Sequence, residues 1–418
     1  MERHTQAPAG FRSVPRTGVI YVMTEAARRG YRPDDPRWAN LGQGAPETGP
    51  LPGAPPRIET IRIDHEDHEY APVDGLPSLR EAVAALYNAR YRRGRASQYG
   101  PENVAISAGG RLALTRLVST LGRVNIGHFL PDYTAYEELL GTFATFAAIP
   151  IPLDPERQYA FGARELEAEV VGRGLSAVLL SNPCNPTGRL VHGDALGQWV
   201  DTARSLSCTL ITDEFYSHYT WAGARLTVSA AEHVEDVNSD PVVILDGLTK
   251  NWRYPGWRVA WTVGPRAIIE GLASAGSFLD GGCARPMQRA AVPLLERSVA
   301  DREAAALQQC FRAKRRLMLE GLERLGIQVL LPPQGGFYGW GDLSRLPAPM
   351  SYGMGLFRAA LEEGVIVVPG EFFDINPGHR RPERPGRYGR FARFSFGPEI
   401  EVLERGLAGL ERTIRSAS

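Results

Sequence analysis

At 418 residues the chain is long enough for two or more ordinary domains, and 43% hydrophobic with 22% charged residues is the balance of a folded globular protein, not a disordered or fibrous one. Basic and acidic residues balance at 47 each, which argues against a surface built as a whole to hold nucleic acid or an anionic membrane. Four widely spaced cysteines (Cys184, Cys208, Cys283, Cys310) include no CxxC pair, so reduced thiols in a cytoplasmic protein fit better than a disulfide framework or a zinc knuckle.

The chain opens with an arm containing Pro, Gly and several arginines (Arg3, Arg12, Arg16), without the apolar run of a signal peptide. A short helix is expected around Ile20 to Arg29, closed by Gly30. No apolar stretch approaches membrane-spanning length. From about 100 to 270 short apolar runs alternate with helical segments. Val104–Ile106, His128–Leu130, Ala177–Leu180, Thr209–Ile211, Val242–Leu245 and Val259–Trp261 read as strands. Leu112 to Leu121 and Tyr136 to Phe146 read as helices. Fully apolar strands interleaved with helices predict an α/β unit with a buried, mostly parallel sheet. After about 290 come a long helix to roughly Leu325, a Gly-rich turn at Gly335-Gly336, a strand near Phe337 to Trp340, a helix–strand pair ending at Gly370, a basic loop from His379 to Arg390, a strand Phe391–Phe396 and a last helix, together a smaller α+β domain.

Four segments of the α/β unit carry chemistry. Val104–Ile106 runs into Ser107-Ala108-Gly109-Gly110-Arg111, a strand-to-helix turn whose amides can approach a phosphate at the helix N-terminus. Ser181-Asn182-Pro183-Cys184-Asn185-Pro186-Thr187-Gly188 puts Asn185 at a strand's carboxyl end, where α/β sheets bind ligands, with its amide free to meet a phenolate oxygen. Asp213-Glu214-Phe215-Tyr216 supplies a carboxylate able to keep a pyridine nitrogen protonated, and a tyrosine three residues on. Thr249-Lys250, followed by Pro255-Gly256-Trp257-Arg258, offers a fixed amine to form an imine with an aldehyde cofactor. Arg258 adds a cationic fork for a phosphate that also depresses the lysine, and Thr249 adds a hydroxyl. Tyr133, in Pro131-Asp132-Tyr133, can lie against a cofactor ring. Each segment has a plain structural use as well: turn, helix cap or packing.

Taken together and in this order, the segments resemble the class I/II aminotransferases of pyridoxal-phosphate (PLP) fold type I, and the resemblance covers nearly the whole chain. It implies a large domain with a mostly parallel seven-stranded sheet flanked by helices, plus a smaller α+β domain. The expected division is residues 1–45 as an arm and part of the small domain, 46–295 as the PLP-binding domain and 296–418 as the small domain. It implies pyridoxal 5′-phosphate held as a Schiff base by Lys250, with Gly110, Arg111, Tyr133, Asn185, Asp213, Tyr216, Thr249 and Arg258 around it. It also implies substrate contacts from Gly44, Asn185 and Arg393, amino-acid and 2-oxo-acid substrates, and a homodimer in which Tyr70 reaches the neighbouring subunit's phosphate. The sequence departs from the family pattern at Arg111, a bulky residue in the phosphate turn, and in the basic loop with Arg380, Arg381, Arg384, Arg387 and Arg390, read as solvated. A second substrate-gripping arginine has no clear counterpart; Arg285 is the nearest, with a dimer-interface role as its rival. Asp64-His65-Glu66-Asp67-His68-Glu69 has the look of a metal site, but its histidines are three apart with no distant third ligand, so it reads as a solvated acidic stretch. The same fold serves β-eliminating lyases and amino-acid oxidases, the leading alternative. A transcription regulator with an aminotransferase-like sensor would need a DNA-binding domain that the residues before Gly44 have no room for.

Overall fold

A computed structural model of the chain describes residues 10–11, 18–223, 225–381 and 386–416. Its strands are β1 (Ala39–Asn40), β2 (Val104–Ser107), β3 (Asn125–Leu130), β4 (Ala147–Pro152), β5 (Leu175–Ser181), β6 (Thr209–Asp213), β7 (Val242–Gly247), β8 (Ala260–Val263), β9 (Gln328–Val329), β10 (Tyr338–Asp342), β11 (Val365–Ile366), β12 (Val368–Pro369) and β13 (Phe391–Ser395). Its α-helices are α1 (Gly18–Arg28), α2 (Pro77–Tyr91), α3 (Gly110–Ser119), α4 (Ala135–Thr142), α5 (Ala163–Arg173), α6 (Gly193–Ser205), α7 (Arg266–Leu279), α8 (Arg285–Ala291), α9 (Arg297–Arg324), α10 (Gly353–Glu362) and α11 (Ile400–Arg415).

Seven strands form one sheet in the order β2-β8-β7-β6-β5-β3-β4. All neighbours in it are parallel except those of β8, which runs antiparallel to both β2 and β7. The central strands are apolar on both faces because both faces are covered. Along β5, Ala177 and Leu179 enter one core while Val178 and Leu180 enter the other; β7 divides Val243 and Leu245 from Val242 and Ile244 in the same way. Two-residue periodicity thus feeds two cores from one strand.

The expected helix from Tyr136 to Phe146 stops at Thr142, and residues 147–152 form the edge strand β4 instead. The smaller part of the molecule carries an antiparallel sheet in the order β12-β13-β10-β9, with β1 paired to β11 beside it. The 28-residue α9 buries Ala300, Glu303, Ala304, Leu307, Phe311, Met318 and Leu322, the three- and four-residue spacing of one helical face. That face packs beneath β10 and against α11.

Two sequence expectations change here. The acidic stretch 64–69 is not simply solvated. Arg289 Nη1 lies 2.9 Å from Asp64 and its other nitrogen pairs with Asp67, whose side chain is buried, while Arg285 Nη2 sits 2.9 Å from Glu66. The stretch is therefore tied by ion pairs to α8. The basic loop is likewise partly engaged: Arg381 pairs with Asp374 at 2.8 Å and Arg390 with Asp342 at 3.2 Å. Arg384 lies outside the described residues, as do Arg3, Arg12 and Arg16 of the arm.

Candidate active site

Because β2, β5, β6 and β7 point the same way, their carboxyl ends deliver Gly109-Gly110, Asn185, Asp213 and Thr249-Lys250 to one side of the sheet. There they surround a cavity of about 190 Å³, floored by Lys250 and walled by Gly110, Asp213, Thr249 and Arg258. It opens into a second cavity of about 620 Å³ that reaches Gly44, Glu138, Tyr338 and Arg393. Lys250, Arg111, Tyr133, Asn185 and Tyr216 line both. Eleven of the twelve expected site residues thus converge, with Thr249 and Arg258 at the inner end and Arg393 at the outer. Tyr70 does not join them; it is 92% exposed. Arg285 lines neither cavity.

Lys250 is held at both ends. Its carbonyl accepts hydrogen bonds from Tyr219 Oη (3.0 Å) and from the Arg253 amide (3.1 Å), and its Nζ donates to the Gly44 carbonyl. Burial, reinforced by the positive fields of Arg393, Arg111 and Arg258 against the opposing pull of Asp213, brings its ammonium down to about 7. The sequence contains only two lysines, Lys250 and Lys314. Lys314 is committed to an ion pair with Glu47 at 2.7 Å, whereas Lys250 makes none among the described residues.

Asp213 accepts a 2.7 Å hydrogen bond from Tyr136 Oη and a 3.4 Å bond from the Phe215 amide. Burial pushes its carboxyl up to about 6, with the Tyr136 bond opposing. A cationic partner in the cavity would draw it back toward the carboxylate. On the opposite wall Tyr216 Oη receives Asn185 Nδ2 at 3.5 Å and lies 2.8 Å from Tyr338 Oη. Arg393 is 1% exposed; Nη1 donates to Asn185 Oδ1 at 2.8 Å and Nη2 to the Gly42 carbonyl at 2.7 Å, leaving Nε without a partner among the described residues.

These residues fit pyridoxal phosphate. The Thr249 hydroxyl is buried with no hydrogen-bond partner among the described residues, an unmet demand that a phosphate oxygen would satisfy. Beside it Gly109, at φ 96°, makes the turn into α3, and a Cβ there would come within 2.0 Å of Arg258 Nη2. The bare glycine turn, the α3 N-terminus and the Arg258 guanidinium together make an anion cradle. Arg111, two residues after Gly109, donates from Nη2 to Tyr133 Oη at 3.2 Å.

Tyr136, Tyr338 and the Asp132–Ser181 pair, 2.5 Å apart, also belong to the site and were not singled out from sequence. Tyr136 carried one usable signal, its position three residues after Tyr133 at the start of a helix.

The family model for "Aminotransferase class I and II" matches residues 36–405. The chain is 29% identical over 312 residues to a probable aspartate/prephenate aminotransferase of Thermus aquaticus, covering 73% of this chain and 76% of that one. It is 27% identical over 372 residues to a valine–pyruvate aminotransferase of Mycobacterium tuberculosis, covering 87% and 90%. Among solved structures, Thermus thermophilus aspartate aminotransferase with maleate superposes with a TM-score of 0.77 at 23% identity, over 96% of this chain and 100% of that one. An aminotransferase from Mycobacterium tuberculosis gives 0.78 at 23%, over 97% and 98%. At such identities the superpositions speak for the fold, while the family match spans most of the sequence: this chain belongs to the class I and II aminotransferases and is a pyridoxal-phosphate-dependent enzyme of that family.

Proposed function

We propose that Lys250 is the residue that binds the cofactor and moves the proton in transamination between an L-amino acid and a 2-oxo acid. The observation that carries this reading is the state of its amine. It is one of two lysines in the chain, it faces the cavity, and it is brought down to about 7, so that much of it is neutral and nucleophilic at physiological pH.

The other residues take roles by position. Gly110, Thr249 and Arg258 would hold the phosphate and Tyr133 would pack against the ring. Asp213 would pair with the ring nitrogen, and Asn185 and Tyr216 would meet the phenolate oxygen. Arg393, whose guanidinium is already aimed by Asn185 and Gly42, turns its fork to the substrate α-carboxylate. The Gly44 carbonyl marks the substrate's place, since Lys250 Nζ now points at it. Bound here, the cofactor supplies an electron sink for the charge left when the α-proton departs. Lys250 Nζ takes that proton and later returns it, while Arg393 keeps the substrate from turning.

Tyr70 acts across a two-fold dimer, on the partner's phosphate. Its side chain stands clear of its own subunit, and it precedes residues 71–73, which pack against Gly282, four residues after the exposed Phe278 (74%) of α7. Two large exposed aromatics favour a covering subunit. The four unpaired cysteines favour a cytoplasmic setting. Reduction of the loaded enzyme with borohydride followed by peptide mapping tests the assignment: the pyridoxyl group is expected on Lys250, and its recovery on Lys314 would overturn it.

A further inference from the structure

Tyr338 stands where the two halves of the site meet. It follows the Gly335-Gly336 turn as the first residue of β10 and is 1% exposed. Its ring and its hydroxyl face different neighbours. The Arg393 guanidinium lies 4.3 Å from the ring centroid, and the hydroxyl oxygen is 2.8 Å from Tyr216 Oη. We infer that Tyr338 is a positioning residue: by donating its proton to Tyr216 it leaves the Tyr216 proton to point into the cavity, at the ring oxygen of the cofactor. This rests on the placement of Tyr216 given above.

The direction of the bond follows from counting donors and acceptors. A tyrosine hydroxyl has one proton and two lone pairs. Tyr216 Oη already receives Asn185 Nδ2, and a proton from Tyr338 fills its second acceptor direction, so its own proton is the group left over. In the reverse arrangement the Tyr338 proton would need another acceptor, and the cation beside its ring is a donor only. Burial raises both phenols, and the Arg393 cation beside the Tyr338 ring opposes that rise at Tyr338.

A hydrogen bond given to an anionic ring oxygen favours the anion and makes the neighbouring nitrogen less basic. Without the Tyr338 hydroxyl, Tyr216 loses the donor that polarises it, the bond it gives the ring oxygen weakens, and that nitrogen becomes more basic. Because ring and hydroxyl act separately, Tyr338→Phe removes one and spares the other. The test is the visible absorption of the bound cofactor across pH, with kcat and KM measured alongside for wild type, Tyr338→Phe and Tyr338→Leu. For Tyr338→Phe the apparent pKa of the cofactor band is expected to rise by roughly half a unit or more, with kcat down about three- to tenfold and KM within about twofold. Tyr338→Leu, which also removes the surface under Arg393, adds a several-fold rise in KM. A band that titrates in Tyr338→Phe as it does in wild type, or at lower pH, overturns the inference whatever the rate does. A wild type that develops no cofactor band would overturn the assignment of Lys250 itself, a distinct result.

Discussion

The amine of Lys250 must be neutral to attack an aldehyde, yet it sits across the cavity from a carboxyl that favours its charge. Burial and three arginines win that contest, and the consequence is a pH dependence with a definite sign. Capture of pyridoxal phosphate by the cofactor-free enzyme should speed up as pH rises toward about 7 and level off above it. Stopped-flow absorbance checks this; a rate still climbing toward the ordinary lysine range near ~10.4 would mean the field is absent. Replacing Lys250 by Ala should abolish steady-state transamination while the fold, read by circular dichroism, stays intact. Gly109 makes a second case. A methyl there meets Arg258 and strains a backbone at φ 96°, so Gly109→Ala should weaken cofactor affinity at least tenfold and cost ~1–3 kcal/mol in stability. Equilibrium dialysis and urea unfolding measure the two effects.

Between elements, the site depends on a buried ionic joint. Arg253, 0% exposed, pairs with Glu303 of α9 at 2.7 Å and donates to the Gly49 carbonyl at 2.6 Å, which ties the loop after Lys250 to both α9 and the segment carrying Gly44. Arg57 adds bonds to the Trp252 and Arg253 carbonyls and stacks its guanidinium 3.4 Å from the Tyr254 ring centroid. Arg253→Met would leave Glu303 buried with its main partner gone, and the expected cost is ~3–5 kcal/mol in urea unfolding. A shift under 1 kcal/mol would show that Arg57 alone satisfies the glutamate. The elements themselves were legible wherever a strand is buried on both faces, as β5, β6 and β7 are, because such strands read as short apolar runs. β4 was not, since Ala147, Ala148, Pro150 and Pro152 lack the strand signature of branched and aromatic residues. The reversal of β8 was equally hidden: direction is fixed by its ladders with β2 and β7, and an apolar run reads the same either way. In the site, residues with distinctive chemistry could be picked out by their place after strands. Tyr136 and Tyr338 could not, because their partners lie 77 and 122 positions away and a tyrosine alone reads as packing.

At the scale of the whole molecule the exposed Tyr70 and Phe278 side chains call for a covering subunit. Sedimentation at micromolar protein should give a dimer, and Tyr70→Phe should lower phosphate-cofactor affinity several-fold without disturbing the sedimentation profile. An active monomer would remove the shared-site arrangement. The reaction as a whole is tested most directly by a single turnover. The loaded enzyme is mixed with a panel of L-amino acids and no acceptor, and the cofactor and products are identified after acid release. The expected result is pyridoxamine phosphate with one equivalent of a 2-oxo acid, which also names the donor. Unchanged pyridoxal phosphate with continuing release of ammonia or thiol would contradict it, and would mean that this set of residues runs elimination or oxidation.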